Sequence, residues 1–203
     1  EEDGVELQWF ETNIDPTVRF CTDFGVRPCG FVTITGEQLA KTSLRTTHHF
    51  KVDLKKHHSI APRPDIVKNS PYRTLSYDIE CCPLDGSKRF PVASLDPIIT
   101  IGVVCTIFGH PELTQKHVLQ LGSCGEIEGT DVISCQTEQF LLNKFCELFV
   151  EFGPDLMTGY NSSAFDNCYV HDRCEKLKVD AFKRISVEPN YQVHFKKSTY
   201  SSK

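Results

Sequence analysis

The sequence predicts a mixed α/β layer preceded by a β-rich segment. Three observations carry this. From Arg73 onward, strand-like runs come first and helix-like runs follow, in the order strand, strand, strand, helix, strand, helix. Before that point the chain holds only short β-type runs. Between the two lies "SIAPRPDIVKNSPY", proline-rich and polar, which reads as a linker. The expected division therefore puts residues 1–71 in part of a β-rich N-terminal domain with its linker, and residues 72–203 in a second domain.

Each element rests on its own pattern. "VELQWFET" and "VRFCTDF" read as β segments separated by "NIDPT", and "CGFVTI" follows "GVRP" as another. "HHFKVDLKKHH" has a strand-like centre of mixed charge. "YRTLSYDIE" reads as a strand. "CCPLDGSKRFPVASLD", with Pro, Gly, Asp and Ser spread through it, reads as a loop. "PIITIGVVCTIF" is rich in β-branched residues, which suits a central strand. "KHVLQLG" is a third strand and "DVISC" a short extended piece. In "TEQFLLNKFCELFVEFG", Phe140, Leu141, Lys144, Phe145, Leu148 and Phe149 recur at the helical period. Thr137 is placed to cap that helix, and Gly153 followed by Pro154 to stop it. "PDLMTGYN" is a further strand, and "AFDNCYVHDRCEKLKV" a second helix opened by Asp166.

Composition narrows the class. The formal net charge is -5 and the pI about 5.9. That argues against binding to nucleic acid through bulk positive charge but leaves a local basic groove open. "KVDLKK" and "HFKKS" are small basic patches that read as solvated faces or as contacts to phosphate. No apolar run approaches the ~20 residues that span a bilayer, so no membrane partner is expected, and no signal-peptide pattern is visible. The only methionine is Met157, and "HFKKSTYSSK" breaks off in mid-segment. The chain is therefore expected to be an internal piece of a longer protein. Ten cysteines are present, none in a C-x-x-C pair and none at zinc-finger spacing. They are expected to be reduced, in a reducing compartment.

The stretch "LSYDIECC" poses the chemical question. Alternation in a strand puts Asp78 and Glu80 side by side on one face, with Ile79 on the other. Two like charges repel, and burying either without a partner costs on the order of several kcal/mol. They need a cation. An Arg or Lys neighbour would serve. A hard divalent ion fits better, because Mg²⁺ and Mn²⁺ take oxygen ligands, commonly one or two carboxylates plus a substrate phosphate. Two such ions clamp an in-line displacement at phosphorus. Asp166 has a second, plainer reading: an acid in a first helical turn is favoured by the helix dipole.

Asp78-Ile79-Glu80 at the end of one strand, and Asn161-Ser162-Ser163-Ala164-Phe165-Asp166 after a later one, resemble the first two exonuclease motifs of family B DNA polymerases. The flanks are similar too. "WFETNIDPTVRFCTDFGVRPCGFV" resembles the segment that precedes the exonuclease domain. "SYDIECC", "FPVASLDPIITIGVVC" and "GPDLMTGYNSSAFD" resemble the delta-type and herpesvirus replicative enzymes, and "LQLGSCGEIEGTDV" leans to the herpesvirus side. Ala164 stands where relatives often have a polar Asn.

The resemblance implies a ribonuclease-H-like 3′–5′ exonuclease domain within a DNA-directed DNA polymerase that proofreads. It implies that Asp78, Glu80 and Asp166 are catalytic and hold two Mg²⁺ or Mn²⁺ ions, and that Tyr160, Asn161 and Phe165 contact the single-stranded 3′ end. An aromatic suits that place, because unpaired bases stack on such rings. Phe165 also reads as a core anchor for its helix. The implied partners are DNA as a 3′ end or primer-template, dNTPs in the full-length enzyme, and a processivity factor. The implied location is the nucleus, or the host nucleus for a virus. The family's third motif, Y-x-x-x-D, is not found at Tyr200, and the palm carboxylates are absent. A fourth acid is then expected outside the chain, and residues 1–203 alone are expected to be nearly inactive. The alternatives are a catalytically silent exonuclease-fold scaffold that binds DNA or accessory subunits, and a stand-alone DEDD-type exonuclease.

Overall fold

The computed structural model describes residues 10, 12–40, 44–56, 58–186 and 188–195. The chain divides into two compact units. One comprises Glu1–Thr42 with Thr47–Lys68, the other Ser43–Thr46 with Asn69–Lys203. "VELQWFET" falls almost wholly outside the described residues, as do Lys196, Lys197 and Tyr200.

The first unit holds helix α1 (Pro16–Phe24) and four short strands: β1 (Val32–Ile34), β2 (Glu37–Gln38), β3 (Phe50–Lys51) and β4 (Ile60–Pro62). β1 pairs antiparallel with β4, and β2 with β3. Three expectations are corrected here. "VRFCTDF" is helical, not β. Asp15 accepts from the N–H groups of Thr17 and Val18, Pro16 sits in the first turn, and Gly25 closes the end in the left-handed region at φ 62. An N-cap, a first-turn proline and a C-terminal glycine outweigh the β tendency of Val18, Phe20 and Phe24. The proline-rich linker contains β4, which is bound to β1 through Ile60 and Ala61. "HHFKVDLKKHH" is strand over only two residues. Lys51, Lys55 and Lys56 of its basic patch are exposed.

The second unit is built on a five-stranded sheet in the order β8-β7-β6-β5-β9. Its strands are β5 (Arg73–Cys81), β6 (Ile98–Ile107), β7 (His110–Leu121), β8 (Asp131–Cys135) and β9 (Leu156–Thr158). β6 runs antiparallel to both β5 and β7, while β8 and β9 add parallel at the two edges. The β-branched β6 is central, as its sequence predicts. Helices α2 (Glu138–Phe152) and α3 (Asp166–Leu177) follow β8 and β9, and a 3₁₀ turn spans Asp180–Arg184.

One face of the sheet carries the core. Leu75, Tyr77, Ile79, Ile101, Val103, Cys105 and Leu119 are buried together with Leu141, Leu142, Phe145 and Cys146 of α2 and Tyr169, Val170 and Cys174 of α3. Thr137 caps α2 by accepting from the Phe140 N–H, and Gly153 ends it at φ 59. The buried stripe of α2 is Glu138, Leu141, Leu142, Phe145, Cys146 and Phe152. Phe140 is exposed, a correction to the predicted face: the stripe is rotated toward Leu142 and Cys146. All ten cysteines are free. No helix among the described residues is long and apolar enough to cross a membrane.

Candidate active site

β5 pairs with β6 along its whole length, but with β9 only over Thr74–Ser76. Beyond Ser76 that side of β5 has no strand partner among the described residues. The chain leaves β9 at Gly159, where no side chain fits. A Cβ there would meet the Tyr77 carbonyl oxygen at 2.5 Å and Ser162 Cβ at 3.0 Å. Asn161 then adopts φ 54, a left-handed conformation that Asn tolerates better than most residues. Its carbonyl accepts from the N–H groups of Ala164 at 3.0 Å and Phe165 at 3.2 Å, and the Ser162 carbonyl accepts from Asn167 at 2.8 Å. This tight turn brings the first residue of α3 back onto β5.

That residue is Asp166. Its Oδ1 accepts from the Ile79 N–H at 3.2 Å, taking the place of the missing strand. The residue is 2% exposed. Burial raises its pKa, its own and the Ile79 N–H groups pull it back, and the adjacent Asp78 carboxyl raises it further by like charge and hydrogen bonding. Asp78 and Glu80 both lie exposed on the face away from the core, with Ile79 buried between them. Asp78 stands opposite Gly102, where nothing lies within 4 Å of a would-be Cβ, so the space beside it is open. Glu80 stands opposite Thr100, whose hydroxyl donates to Gln120 Oε1 at 2.8 Å.

The structure therefore brings Asp78 and Asp166 together, with Glu80 one step along the same strand face. Among the described residues, no group of three or more His, Cys, Asp or Glu side chains is arranged to hold a metal ion. Two adjacent carboxylates, one of them buried and destabilised by the other, still fit a hard divalent cation that completes its shell with water and substrate oxygens.

The aromatic residues divide. Tyr160 is 94% exposed. Asn161 is exposed at the turn. Phe165 is half-buried against the core, its ring 5.2 Å from Phe90 and 5.4 Å from Tyr169. The sequence marks Phe90 only as loop, since a lone aromatic among Arg and Pro has no periodicity to distinguish it.

That loop is pinned. The fully buried Asp96 accepts from the N–H groups of Leu84 at 3.1 Å and Val92 at 2.7 Å, and from both terminal nitrogens of Arg89 at 2.6 and 2.7 Å. The Arg89 guanidinium holds the Asp96 carboxyl well below the usual carboxylate range. The Asp96 carbonyl in turn accepts from the Tyr169 hydroxyl at 3.0 Å. α3 is tied down a second time by a buried ion pair. Arg173 donates to both carboxylate oxygens of Glu138, the Nε bond measuring 2.7 Å, and to the Ala93 carbonyl at 2.9 Å. Glu138 also accepts from the Ile98 N–H at 2.9 Å. A third tie joins β5 to α3: the Tyr77 hydroxyl donates to Asn167 Oδ1 at 2.5 Å. Burial, then the charges of Asp166, Cys168 and Asp78, raise the Tyr77 pKa, so the phenol stays protonated as a donor.

A mixed sheet with an antiparallel centre, helices on one face and carboxylates on β5 next to the central strand defines a ribonuclease-H-like exonuclease fold. The chain belongs to the exonuclease-domain family of the family B DNA polymerases: the family model described as "DNA polymerase family B, exonuclease domain" matches residues 7–203. Similar proteins include the DNA polymerase of Acanthamoeba polyphaga mimivirus, 32% identical over 90% of this chain and 10% of that protein. The DNA polymerase delta catalytic subunit of Arabidopsis thaliana is 32% identical over 99% of this chain and 19% of that protein. The DNA polymerase catalytic subunit of Saimiriine herpesvirus 2 is 30% identical over 97% and 19%. The chain thus spans a fifth or less of these relatives. The structure of the family B DNA polymerase from the archaeon Pyrobaculum calidifontis shares the fold, with a TM-score of 0.63 and 21% identity, over 89% of this chain and 20% of that one.

Proposed function

We propose that residues 72–203 form a 3′–5′ proofreading exonuclease within a replicative DNA-directed DNA polymerase, and that residues 1–71 belong to the preceding N-terminal domain. The observation that carries this is the buried Asp166 carboxylate held against β5 beside Asp78. A chain stabilises two adjacent carboxylates poorly unless a cation joins them. Asp78 and Asp166 would hold Mg²⁺ or Mn²⁺, with Glu80 joining them as substrate arrives. A pair of such ions, when bound, supplies charge to the phosphate and lowers the pKa of water.

The chain's own residues do the rest. The pinned α3 fixes Asp166. Glu80, exposed on the open face, orients the attacking water. Tyr160, Asn161 and Phe165 receive the unpaired 3′ end, where an aromatic face stacks on any base. Water attacks phosphorus, the 3′ oxygen leaves, and a nucleoside monophosphate is released. Nucleotide addition from dNTPs, a processivity factor and a nuclear site of action are parts of the same proposal.

A catalytically silent scaffold is the second reading. What favours it is that, among the described residues, Glu80 is not gathered with the other two acids into a three-residue metal group. The readings separate in one assay. The intact protein, given Mg²⁺ and a 3′-labelled single strand, should release mononucleotides, and Asp78→Ala should stop it. Equal release by both proteins would remove the catalytic assignment.

A further inference from the structure

We propose that the Tyr77–Asn167 hydrogen bond is a positioning clamp that sets the approach of Asp166 to Asp78, and with it the affinity of the site for a divalent cation. The inference rests on the exonuclease reading above and assigns roles that the reading leaves empty. Tyr77 immediately precedes Asp78 on β5, and Asn167 immediately follows Asp166 on α3. The bond therefore joins the two acid-bearing segments at the residues next to Asp78 and Asp166, 90 residues apart in sequence.

The geometry around it leaves little slack. The Tyr77 ring is buried and packs on Phe145 of α2 with centroids 5.0 Å apart. The Tyr77 carbonyl lies against Gly159, so the same residue fixes the turn that delivers α3. Phe165 occupies the capping position of α3 without a side-chain cap bond. The Asp166 carboxylate accepts from the Ile79 N–H of β5 as well as from its own N–H at the start of α3. Next to the acids, the first turn of α3 is held to β5 by Asp166 bonding the Ile79 N–H and by Asn167 bonding the Tyr77 hydroxyl. The first involves a candidate metal ligand, which a bound cation would compete for. The second does not, and it remains as a fixed reference.

Partners that orient ligands from outside the coordination sphere typically change metal affinity by about 10- to 100-fold when removed. Tyr77→Phe keeps the ring and its packing while deleting the donor. The test is Mn²⁺ binding to the intact protein without DNA, read from the free-ion EPR signal, alongside the Mn²⁺ dependence of exonuclease rate. Tyr77→Phe should weaken Mn²⁺ binding about tenfold. The Mn²⁺ midpoint of activity should move by the same factor, and the rate at saturating metal should change little.

The second variant is Tyr77→Phe with Asn167→Leu. It removes both polar partners, and replacing both by apolar groups of similar shape is close to neutral for stability. Its melting temperature should match the parent while its Mn²⁺ affinity stays low. A merely structural bond would give the opposite pattern, with affinity restored along with stability. Parent-like Mn²⁺ binding in either folded variant would overturn the clamp. If Asp78→Ala changed neither Mn²⁺ binding nor mononucleotide release, the exonuclease reading would fail, and the clamp with it.

Discussion

The ion pair between Glu138 and Arg173 makes a strong prediction about what holds the candidate site in place. Both side chains are almost fully buried, at 7% and 5% exposure. Glu138 opens α2 and also accepts from the Ile98 N–H at the start of β6, while Arg173 on α3 reaches the Ala93 carbonyl. One node therefore ties both helices, the central strand and the loop that carries Phe90. Arg173→Met leaves a carboxylate in the core without its cation. Breaking a buried pair from one side costs about 3–5 kcal/mol. At roughly 2–4 °C per kcal/mol for a domain of this size, melting should fall by about 6–20 °C.

Glu138→Leu should cost a similar amount. The double variant should do better than either, because an apolar pair of similar volume is often neutral. Its remaining loss is the unpaired Ile98 N–H, about 1–3 kcal/mol. Denaturant unfolding of the parent, the two single variants and the double variant measures the coupling directly. Additive losses in the double variant, or a single loss under about 1 kcal/mol, would refute the view that this pair is a principal structural tie of α3.

Three further outcomes follow from the same structure. Asp96, whose carboxyl is held acidic by Arg89, stabilises the folded loop only while ionised. Its folded pKa is depressed, so its contribution is complete above the unfolded value of about 3.9 and fades as pH falls below it. Asp96→Asn should flatten the acid limb of the unfolding curve by comparison with the parent, and an unchanged limb would count against the assignment. Gly159→Ala forces a Cβ to 2.5 Å from the Tyr77 carbonyl. A cost of about 1–3 kcal/mol in denaturant unfolding is expected, with loss of exonuclease rate. Thiol labelling at pH 8 should find Cys29, Cys82 and Cys124 fast, because they are exposed. Burial pushes the thiols of Cys105 up to about 11 and Cys174 up to about 12, so both should react only on unfolding.

Legibility in the sequence followed the range of the interactions. β5, β6, α2 and α3 could be read because period and caps are local signals, and Thr137 and Gly153 bound α2 as expected. α1 is not legible from aromatic and β-branched content, because its helix is set by the Asp15–Pro16 start and the Gly25 stop. Phe140 was assigned to the wrong face because counting apolar residues cannot see that Leu142 and Cys146 lie closer to the sheet. The shared face of Asp78 and Glu80 followed from strand alternation alone. The bond from Ile79 to Asp166, the tie of Tyr77 to Asn167 and the Glu138–Arg173 node were not visible. Their partners lie 35 to 90 residues apart, and a charged residue in a sequence reads as surface until the fold shows what faces it.

The most direct measurement is an anomalous-scattering map of crystals of the intact protein grown with Mn²⁺ and a single-stranded DNA whose 3′-terminal linkage resists hydrolysis. The account predicts manganese between the carboxylates of Asp78 and Asp166, in contact with the terminal phosphate, with Glu80 turned toward it. Clear DNA density with no manganese at these carboxylates, or with a lysine or arginine filling the space between them, would contradict it.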